Sequence, residues 1–289
     1  MNKNQSVSTE NQMRKKEASE WMRYAKEDYN LVQHLYRGDY YPKPLAIICY
    51  HCEQATEKAT TLVDKDGRER KINKPVLEWE IMSLVSQGFT DIILTVSYRS
   101  DQIMSYFGDG SRLGAKITYF VEDTPLGNAG ALFKLRDQLD SPFLLLNADA
   151  VFDVDFQRMV EFHRSHDALV TLFTHPNSHP YDSGLIVADD SGAVLHWLTK
   201  EDARPQWYKN RVNAGLHVID PAVLDMTGID PTTIGEAGED GKPRRVDMDR
   251  QILKPLCGQG VMYCYDSPEY CKDMGTPDRY EAVCHDFES

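Results

Sequence analysis

Two short stretches combine carboxylates with the end of an apolar run. In "FLLLNADAVFDVD" three consecutive leucines lead into Asp149, Asp153 and Asp155, which predicts a strand that is buried on both faces. In "EYCKDMGTPDRY", Asp273 precedes a glycine and a predicted helix start. One carboxylate at each of two strand ends suits a hard cation such as Mg²⁺. Helix capping and solvation explain such acids equally well.

The elements that carry these acids alternate regularly. From Pro75 onward, helical patterns such as "PVLEWEIMSLVSQG" alternate with strand patterns such as "DIILTVSY". This rhythm predicts right-handed βαβ units and therefore an α/β fold with a Rossmann-like, mostly parallel sheet flanked by helices. The stretch "DSGLIVADDSGAVLHWLTK" predicts a hairpin. Ligands of open α/β sheets bind beyond the carboxyl ends of the strands, where the acids are expected.

The N-terminal part follows another pattern. Residues 17–62 place apolar side chains near helical period on both sides of the turn "GDYYPKP", which predicts a helical hairpin whose second helix includes Ala46 and Ile47. The charged residues 63–74 are typical of a linker. The predicted organisation is a helical fragment over 1–62, a linker over 63–74 and the α/β domain over 75–289.

The composition of the chain argues against nucleic acid and membranes as partners. The 289 residues carry a formal net charge of −13, which argues against nucleic-acid binding, because that binding depends on cations that neutralise phosphates. The apolar runs "PLAIIC" and "DIILTV" are much shorter than a membrane span, and the polar N-terminus does not resemble a signal peptide. We expect a cytoplasmic protein that binds neither membranes nor nucleic acid.

Residues 75–286 resemble the sugar-1-phosphate nucleotidyltransferases, the nucleoside-diphosphate-sugar pyrophosphorylases. Blocks in the family order carry the resemblance, among them "KPVLEWEIMSLVSQGFTDIILTVSY", "YFVEDTPLGNAGAL", "FLLLNADAVFDVD", "NRVNAGLHVID" and "EYCKDMGTPDRY". The similarity is to the branch of mannose-1-phosphate and heptose-1-phosphate guanylyltransferases. It implies the fold of the nucleotide-diphospho-sugar transferases. It also implies a Mg²⁺-dependent reaction of a nucleoside triphosphate, GTP in this branch, with a sugar 1-phosphate.

The resemblance also assigns residues to roles. It implies that Asp149 and Asp273 bind the metal and that Lys200 is a catalytic cation, although Thr199 replaces the glutamate that precedes this lysine in the family. The residues assigned to the nucleotide are Glu122, Pro125, Gly127 and Asn128. Those assigned to the sugar are Gly184, Asn213 and Gly215. Asp153 and Asp155 are predicted instead to cap the helix that begins near Phe156.

One family feature is missing from the sequence. Family members begin with a strand that enters a Gly-Gly-x-Gly-Thr-Arg loop, which grips the triphosphate, whereas the only glycines before Gly88 are Gly38 and Gly67. Residues 17–60 resemble instead the first half of a HEPN domain. These observations predict an N-terminally truncated nucleotidyltransferase domain, completed by residues 60–72, by a partner chain or within a homo-oligomer.

Two functions follow from these expectations. The first is an active sugar-1-phosphate nucleotidyltransferase. The second is a catalytically inactive module on the same fold that binds sugar nucleotides or proteins.

Overall fold

A computed structural model of the chain describes residues 45–49, 62–63, 69–70, 76–97, 100–148, 150–177, 184–199, 202–273, 279, 282–283 and 286. The strands, in chain order, are β1 (Leu45–Cys49), β2 (Leu62–Val63), β3 (Glu69–Arg70), β4 (Asp91–Val96), β5 (Lys116–Val121), β6 (Phe143–Asn147), β7 (Ala150–Asp153), β8 (Val170–His175), β9 (Leu185–Ala188), β10 (Val194–Leu198), β11 (Val212–Ile219), β12 (Met262–Asp266) and β13 (Tyr270–Asp273).

The helices are α1 (Val76–Ser86), α2 (Ser100–Phe107), α3 (Gly130–Lys134), α4 (Phe156–Ser165) and α5 (Ala222–Met226). A π-helical segment spans Met248–Leu253. Short 3₁₀ turns cover Ser111–Leu113, Arg136–Gln138, Pro231–Thr233 and Lys254–Leu256. Among the helices that the structure describes, none combines the length and the apolar character needed to cross a bilayer.

The main sheet contains the predicted parallel strands together with antiparallel pairs. Strands β5, β4, β1 and β6 lie side by side and are parallel. Strand β11 follows β6 and is antiparallel to it; β8 is antiparallel to β11, and β12 is parallel to β8. The predicted hairpin is the β9–β10 pair. Because β11 is reversed, it begins at the sheet edge where β6 ends.

Two hydrophobic clusters cover the two faces of this sheet. On β6, Leu144 and Leu146 belong to one cluster, whereas Phe143 and Leu145 belong to the other. Alternate side chains of a strand point to opposite faces, so the period of two divides one apolar run between both clusters. Helices α1, α2 and α4 contribute to the first cluster, and α3, α5 and the π-helical segment to the second. The prediction that this strand is buried on both faces is confirmed.

The prediction of helix over residues 45–49 is wrong. These residues form β1, which pairs in parallel with β4 on one side and with β6 on the other. A run of five apolar residues, two of them β-branched, suits a central parallel strand as well as a helix. Its two strand neighbours decide between them. The missing central strand of the sheet is therefore supplied by this segment and not by residues 60–72. The rest of the predicted helical hairpin lies outside the described residues, and the domain boundaries stay a prediction.

Helix α4 begins at a side-chain cap. Asp155 is its N-cap residue and accepts a hydrogen bond from the Arg158 N–H at 3.0 Å, which satisfies one of the free amides of the first turn. The capping role predicted for Asp155 is confirmed. Asp153 instead ends β7 and is exposed.

We expect Asp155→Ala to lower the free energy of unfolding by about 1 kcal/mol, because the cap is lost. Asp153→Ala is the matched control, since it removes an exposed carboxylate two residues away, and its effect should stay within about 0.5 kcal/mol. Urea unfolding of both variants measures the difference. Equal effects would contradict the capping role.

Candidate functional site

The beginning of β11 and the end of β6 form one wall of a cavity. Leu216 of β11 pairs with Leu146 of β6, so that Gly215 lies against Asn147. A side chain at position 215 would place its Cβ 2.5 Å from Asn147 Nδ2, and the residue has a φ of +78°. Only glycine tolerates both conditions at little cost. Glycine at 215 thus lets the side chain of Asn147 occupy this space.

The cavity has a volume of about 250 Å³. Its lining joins residues from the loop before α3, from β6, β7, β11 and β13, and from the π-helical segment: Asn128, Leu145, Asn147, Ala150, Asn213, Ala214, Gly215, His217, Met248, Asp249 and Asp273. Polar amides and carboxylates are concentrated here, and the described lining includes no Lys or Arg. Such a surface suits neutral polar groups such as hydroxyls, whereas a phosphate needs a cation in addition.

The structure brings together some of the residues that the sequence singled out. Four of the predicted site residues line the cavity: Asn128, Asn213, Gly215 and Asp273. Four others are described but are not part of its lining: Glu122, Pro125, Gly127 and Gly184. Asp149 and Lys200 lie outside the described residues.

Asp273 reaches the cavity through a pair of strands that the sequence did not predict. Strands β7 and β13 are antiparallel, and Asp273 is directly opposite Ala150, one position after Asp149 in the chain. The Asp273 carboxylate forms an ion pair with Arg279. Its oxygens are the donor type that Mg²⁺ prefers. Within the described residues no group of three His, Cys, Asp or Glu side chains is arranged for a metal ion.

The loop that follows β5 is organised by a buried carboxylate. Glu122 is buried and accepts a hydrogen bond from the Leu126 N–H at 3.1 Å. Burial raises the pKa of this carboxyl, and the bond from Leu126 opposes the shift only in part. The Glu122 N–H also donates to the Val96 carbonyl at 2.8 Å, which continues the β4–β5 pairing. One oxygen of Glu122 therefore supports the loop backbone.

The same loop is bound to the segment before the π-helix. The Val246 N–H donates to the Leu126 carbonyl at 2.8 Å, and the Ala129 N–H donates to the Val246 carbonyl at 3.2 Å. Gly127 lies between these bonds with a φ of +84°, and a Cβ there would be 2.4 Å from the Val246 carbonyl oxygen. Glycine at 127 is thus required for the close approach of two backbone segments.

Gly127→Ala should destabilise the protein by about 3 kcal/mol or more, because a backbone oxygen blocks the new methyl group. Gly241→Ala is the control for the conformational cost of a positive φ. Gly241 has a φ of +72°, but a Cβ added there would meet nothing within 4 Å. That variant should cost about 1 kcal/mol. Thermal unfolding of both measures the difference, and similar losses would show that the close approach is unimportant.

Asn128 places an acidic residue in the cavity. Its Oδ1 accepts a hydrogen bond from the Met248 N–H at 2.8 Å, so the residue after Met248, Asp249, is held at the cavity wall. Asp249 is exposed, although protein atoms pack against part of its carboxylate. This desolvation, together with the charge of Asp247, raises the pKa of the Asp249 carboxyl to about 6.

Asp249→Asn should raise the melting temperature at neutral pH and change it little near pH 4.5. The folded protein retains a proton that the unfolded chain releases above the ordinary value of 3.8. Stability contributed by Asp249 is therefore lost as the pH rises from about 4 through 6. Asp190→Asn, in the exposed turn between β9 and β10, is the control for the change in net charge. Calorimetric scans at both pH values test the expectation, and an equal gain at both would contradict it.

Two predicted sugar-side positions have structural partners. At Gly184 a Cβ would lie 2.4 Å from Trp197 Nε1, so the indole occupies the space of a side chain. Thr199 donates from its backbone N–H and its hydroxyl to Asp202 Oδ2, at 2.7 and 2.8 Å. Asp202 thus anchors Thr199, the residue that follows β10.

Sequence reasoning missed three polar residues of the cavity: Asn147, His217 and Asp249. Asn147 directly follows the apolar run of β6, and this position was the only available signal. His217 lies within the apolar run of β11, and Asp249 lies near the start of the π-helical segment. Their local patterns carry no mark of a binding site, since the cavity forms only when distant segments meet.

The comparisons with known proteins match nucleotidyltransferases. The sequence profile of the family described as nucleotidyl transferase matches residues 70–289. The mannose-1-phosphate guanyltransferase of Candida albicans is 31% identical over 211 residues, which are 71% of this chain and 54% of that protein. The mannose-1-phosphate guanylyltransferase catalytic subunit beta of Drosophila melanogaster is 28% identical over 209 residues, with coverages of 71% and 52%. The chain spans about half the length of these relatives.

Solved structures share the fold. Crystal structures of HddC from Yersinia pseudotuberculosis, one of them complexed with GMP-PN, superpose with TM-scores of 0.61 and 0.59. The sequence identity is 18% in both cases, and the superpositions cover 85% of this chain and 100% of HddC.

Proposed function

This chain belongs to the nucleotidyl transferase family, and from that premise we propose that it transfers a nucleotidyl group from GTP to a sugar 1-phosphate, mannose 1-phosphate or a heptose 1-phosphate. The products are a GDP-sugar and pyrophosphate. The observation that supports this most is the cavity, where Asp273 of β13, Asn213 of β11 and Asn147 of β6 meet at one edge of the sheet. Relatives that are named mannose-1-phosphate guanyltransferases support the choice of substrates.

The reaction depends mainly on the positions of the two reacting phosphate groups. A phosphate oxygen of the sugar 1-phosphate forms a bond to the α-phosphorus of GTP, while the bond from that phosphorus to the oxygen bridging the β-phosphate breaks. The electron pair of the broken bond leaves with pyrophosphate. The attacking oxygen is already anionic, so no general base is required. Holding the two phosphates in line accounts for much of the expected acceleration.

The cavity residues suit the sugar. Asn147 and Asn213 supply amide donors and acceptors, and Asp249 supplies carboxylate oxygens, which are the partners that hydroxyl groups need. The wall is held by the packing of the Asn147 side chain on Gly215 and by the hydrogen bond from the Met248 N–H to the Asn128 side chain, so these groups are already in place before a ligand arrives. Preformed groups bind at a smaller entropic cost.

The phosphates need positive charge, and Mg²⁺ fits the residues present. Asp273 would hold it together with Asp149, which precedes the residue opposite Asp273. The metal neutralises phosphate charge and polarises phosphoryl oxygens. The proposed role of Lys200 is to bind the phosphate of the sugar 1-phosphate. Glu122, Pro125 and Gly127 are proposed to shape the base pocket, because Glu122 orders the loop that carries them.

Asp273→Asn should lower kcat for GDP-mannose formation about 100-fold or more, because weaker metal binding removes several kcal/mol of transition-state stabilisation. The assay measures pyrophosphate release from GTP with mannose 1-phosphate or a heptose 1-phosphate. Titration calorimetry with GTP, in the presence and absence of Mg²⁺, reports binding separately.

Asp153→Asn is the matched control, because Asp153 lies at the other end of the same β7–β13 pair and is exposed. It should leave kcat unchanged. Full activity of Asp273→Asn would contradict the proposed metal role. Absence of turnover by the folded wild-type chain with every combination of nucleotide and sugar 1-phosphate would overturn the proposed activity.

A second function is favoured by one sequence feature. Residues 1–87 contain no adjacent glycines and therefore no Gly-Gly-x-Gly-Thr-Arg loop, and the family profile begins to match only at residue 70. The alternative is a module that binds a sugar nucleotide or another protein without turnover, or that turns over within an assembly with a partner chain or a second copy. Metal-dependent binding of GDP-mannose without pyrophosphate release would favour this alternative.

A further inference from the structure

His217 is a buried polar residue in the cavity for which the proposed chemistry has no assigned use. It lies on β11 between Leu145 of β6 and Leu172 of β8, its partners across the two neighbouring strands. The side chain is 2% exposed and lines the cavity. A polar ring among leucines carries a desolvation cost unless both nitrogens have partners.

The hydrogen bonds around His217 define its tautomer. His217 Nε2 is 3.0 Å from Asn213 Oδ1, and the Gly215 N–H lies 3.4 Å from the same oxygen. A backbone N–H only donates, so Asn213 Oδ1 is the acceptor, and His217 Nε2 must carry a hydrogen to bond to it. In the neutral ring Nδ1 is then an acceptor with a free lone pair. Burial lowers the pKa of this imidazole to about 4, so the ring is neutral at physiological pH.

That acceptor is unsatisfied. His217 Nδ1 is buried and has no hydrogen-bond partner in the part of the chain that the structure describes. Buried polar atoms nearly always have a partner in the protein or in solvent. His217 lines the cavity, but Nδ1 itself has almost no exposed surface, so a donor of the ligand reaches it only when the ring or its neighbours shift.

Asn213 completes the arrangement. Its oxygen is turned toward His217 and Gly215, which leaves its amide NH₂ group to donate elsewhere, and Asn213 also lines the cavity. The same part of the cavity therefore offers a donor from Asn213 and an acceptor from His217. A hydroxyl group both accepts and donates, which makes it the complementary ligand group.

We propose that His217 determines sugar specificity: its Nδ1 accepts a hydrogen bond from one hydroxyl of the sugar 1-phosphate, and its Nε2–H holds the Asn213 amide in the orientation that binds the same ligand. This inference rests on the proposed function. It predicts that the protein discriminates against the sugar that lacks this one hydroxyl, because the buried acceptor then stays unpaired.

The first test uses the wild-type protein. Mannose 1-phosphate and its four monodeoxy analogues, at positions 2, 3, 4 and 6, are compared by calorimetry and by kcat/KM with GTP. One analogue should bind about tenfold more weakly or worse, which is the effect of leaving one buried group unpaired. An equal affinity for all of the analogues would overturn the inference.

The second test removes the acceptor. His217→Gln offers its amide nitrogen in the place of Nε2 but has no atom in the place of Nδ1, and His217→Phe retains the ring shape without either nitrogen. Both variants should lose the discrimination, since they bind mannose 1-phosphate and the critical analogue equally. His217→Gln should also retain the contact with Asn213. A merely structural role would weaken every analogue by the same factor, and that result would overturn the inference.

The matched control is His163→Gln. His163 is also 2% exposed, but its Nδ1 lies 3.0 Å from Thr171 Oγ1, and it is not part of the cavity lining. This variant should retain the discrimination, and its loss there would overturn the assignment to His217. If the folded wild-type chain neither binds nor converts any sugar 1-phosphate, the proposed function falls and this inference with it. Turnover without discrimination removes only the inference.

Discussion

The reversed direction of β11 is the constraint on which the site depends. In a fully parallel sheet, the strand beside β6 would end where β6 ends and would begin at the opposite edge. Because β11 is antiparallel, its first residues lie beside the last residues of β6. Asn213 and Gly215 are thereby brought to the edge where parallel strands usually bind ligands. Residues of two separate sequence motifs thus form one wall of the cavity, because this antiparallel pair places them side by side.

A second set of contacts closes that wall from the other side. The loop after β5 and the segment before Met248 exchange backbone hydrogen bonds across Gly127, and the Asn128 side chain binds the backbone of Met248. Each of these contacts joins residues more than 100 positions apart in the chain. They hold Asp249, near the start of the π-helical segment, at the cavity. The loop after β5 and the π-helical segment are therefore coupled through direct hydrogen bonds.

The electrostatics of the cavity follow from this construction. The pKa of the exposed Asp249 is raised by partial desolvation and by the charge of Asp247, whereas burial lowers the pKa of His217. The environments that shift these pKa values lower the free energy of unfolding, as is common at binding sites. The described lining offers donors and acceptors for a sugar but no cation for a phosphate. In a chain with a net charge of −13, the proposed binding of phosphates therefore depends on an added cation.

The sequence by itself determined the class of fold, the order of most strands and helices from residue 75, the capping role of Asp155 and the family. These follow from local periodicity, from one side chain near its own helix, and from motifs that are continuous in the chain. The tertiary structure alone decided that residues 45–49 are a central strand, because a five-residue apolar run suits either element until β4 and β6 pair with it. It alone brought Asp273 opposite Ala150 and placed His217 and Asp249 in the cavity. Contacts between distant segments have no signature in local sequence, because pairing partners and register depend on the packing of the whole sheet.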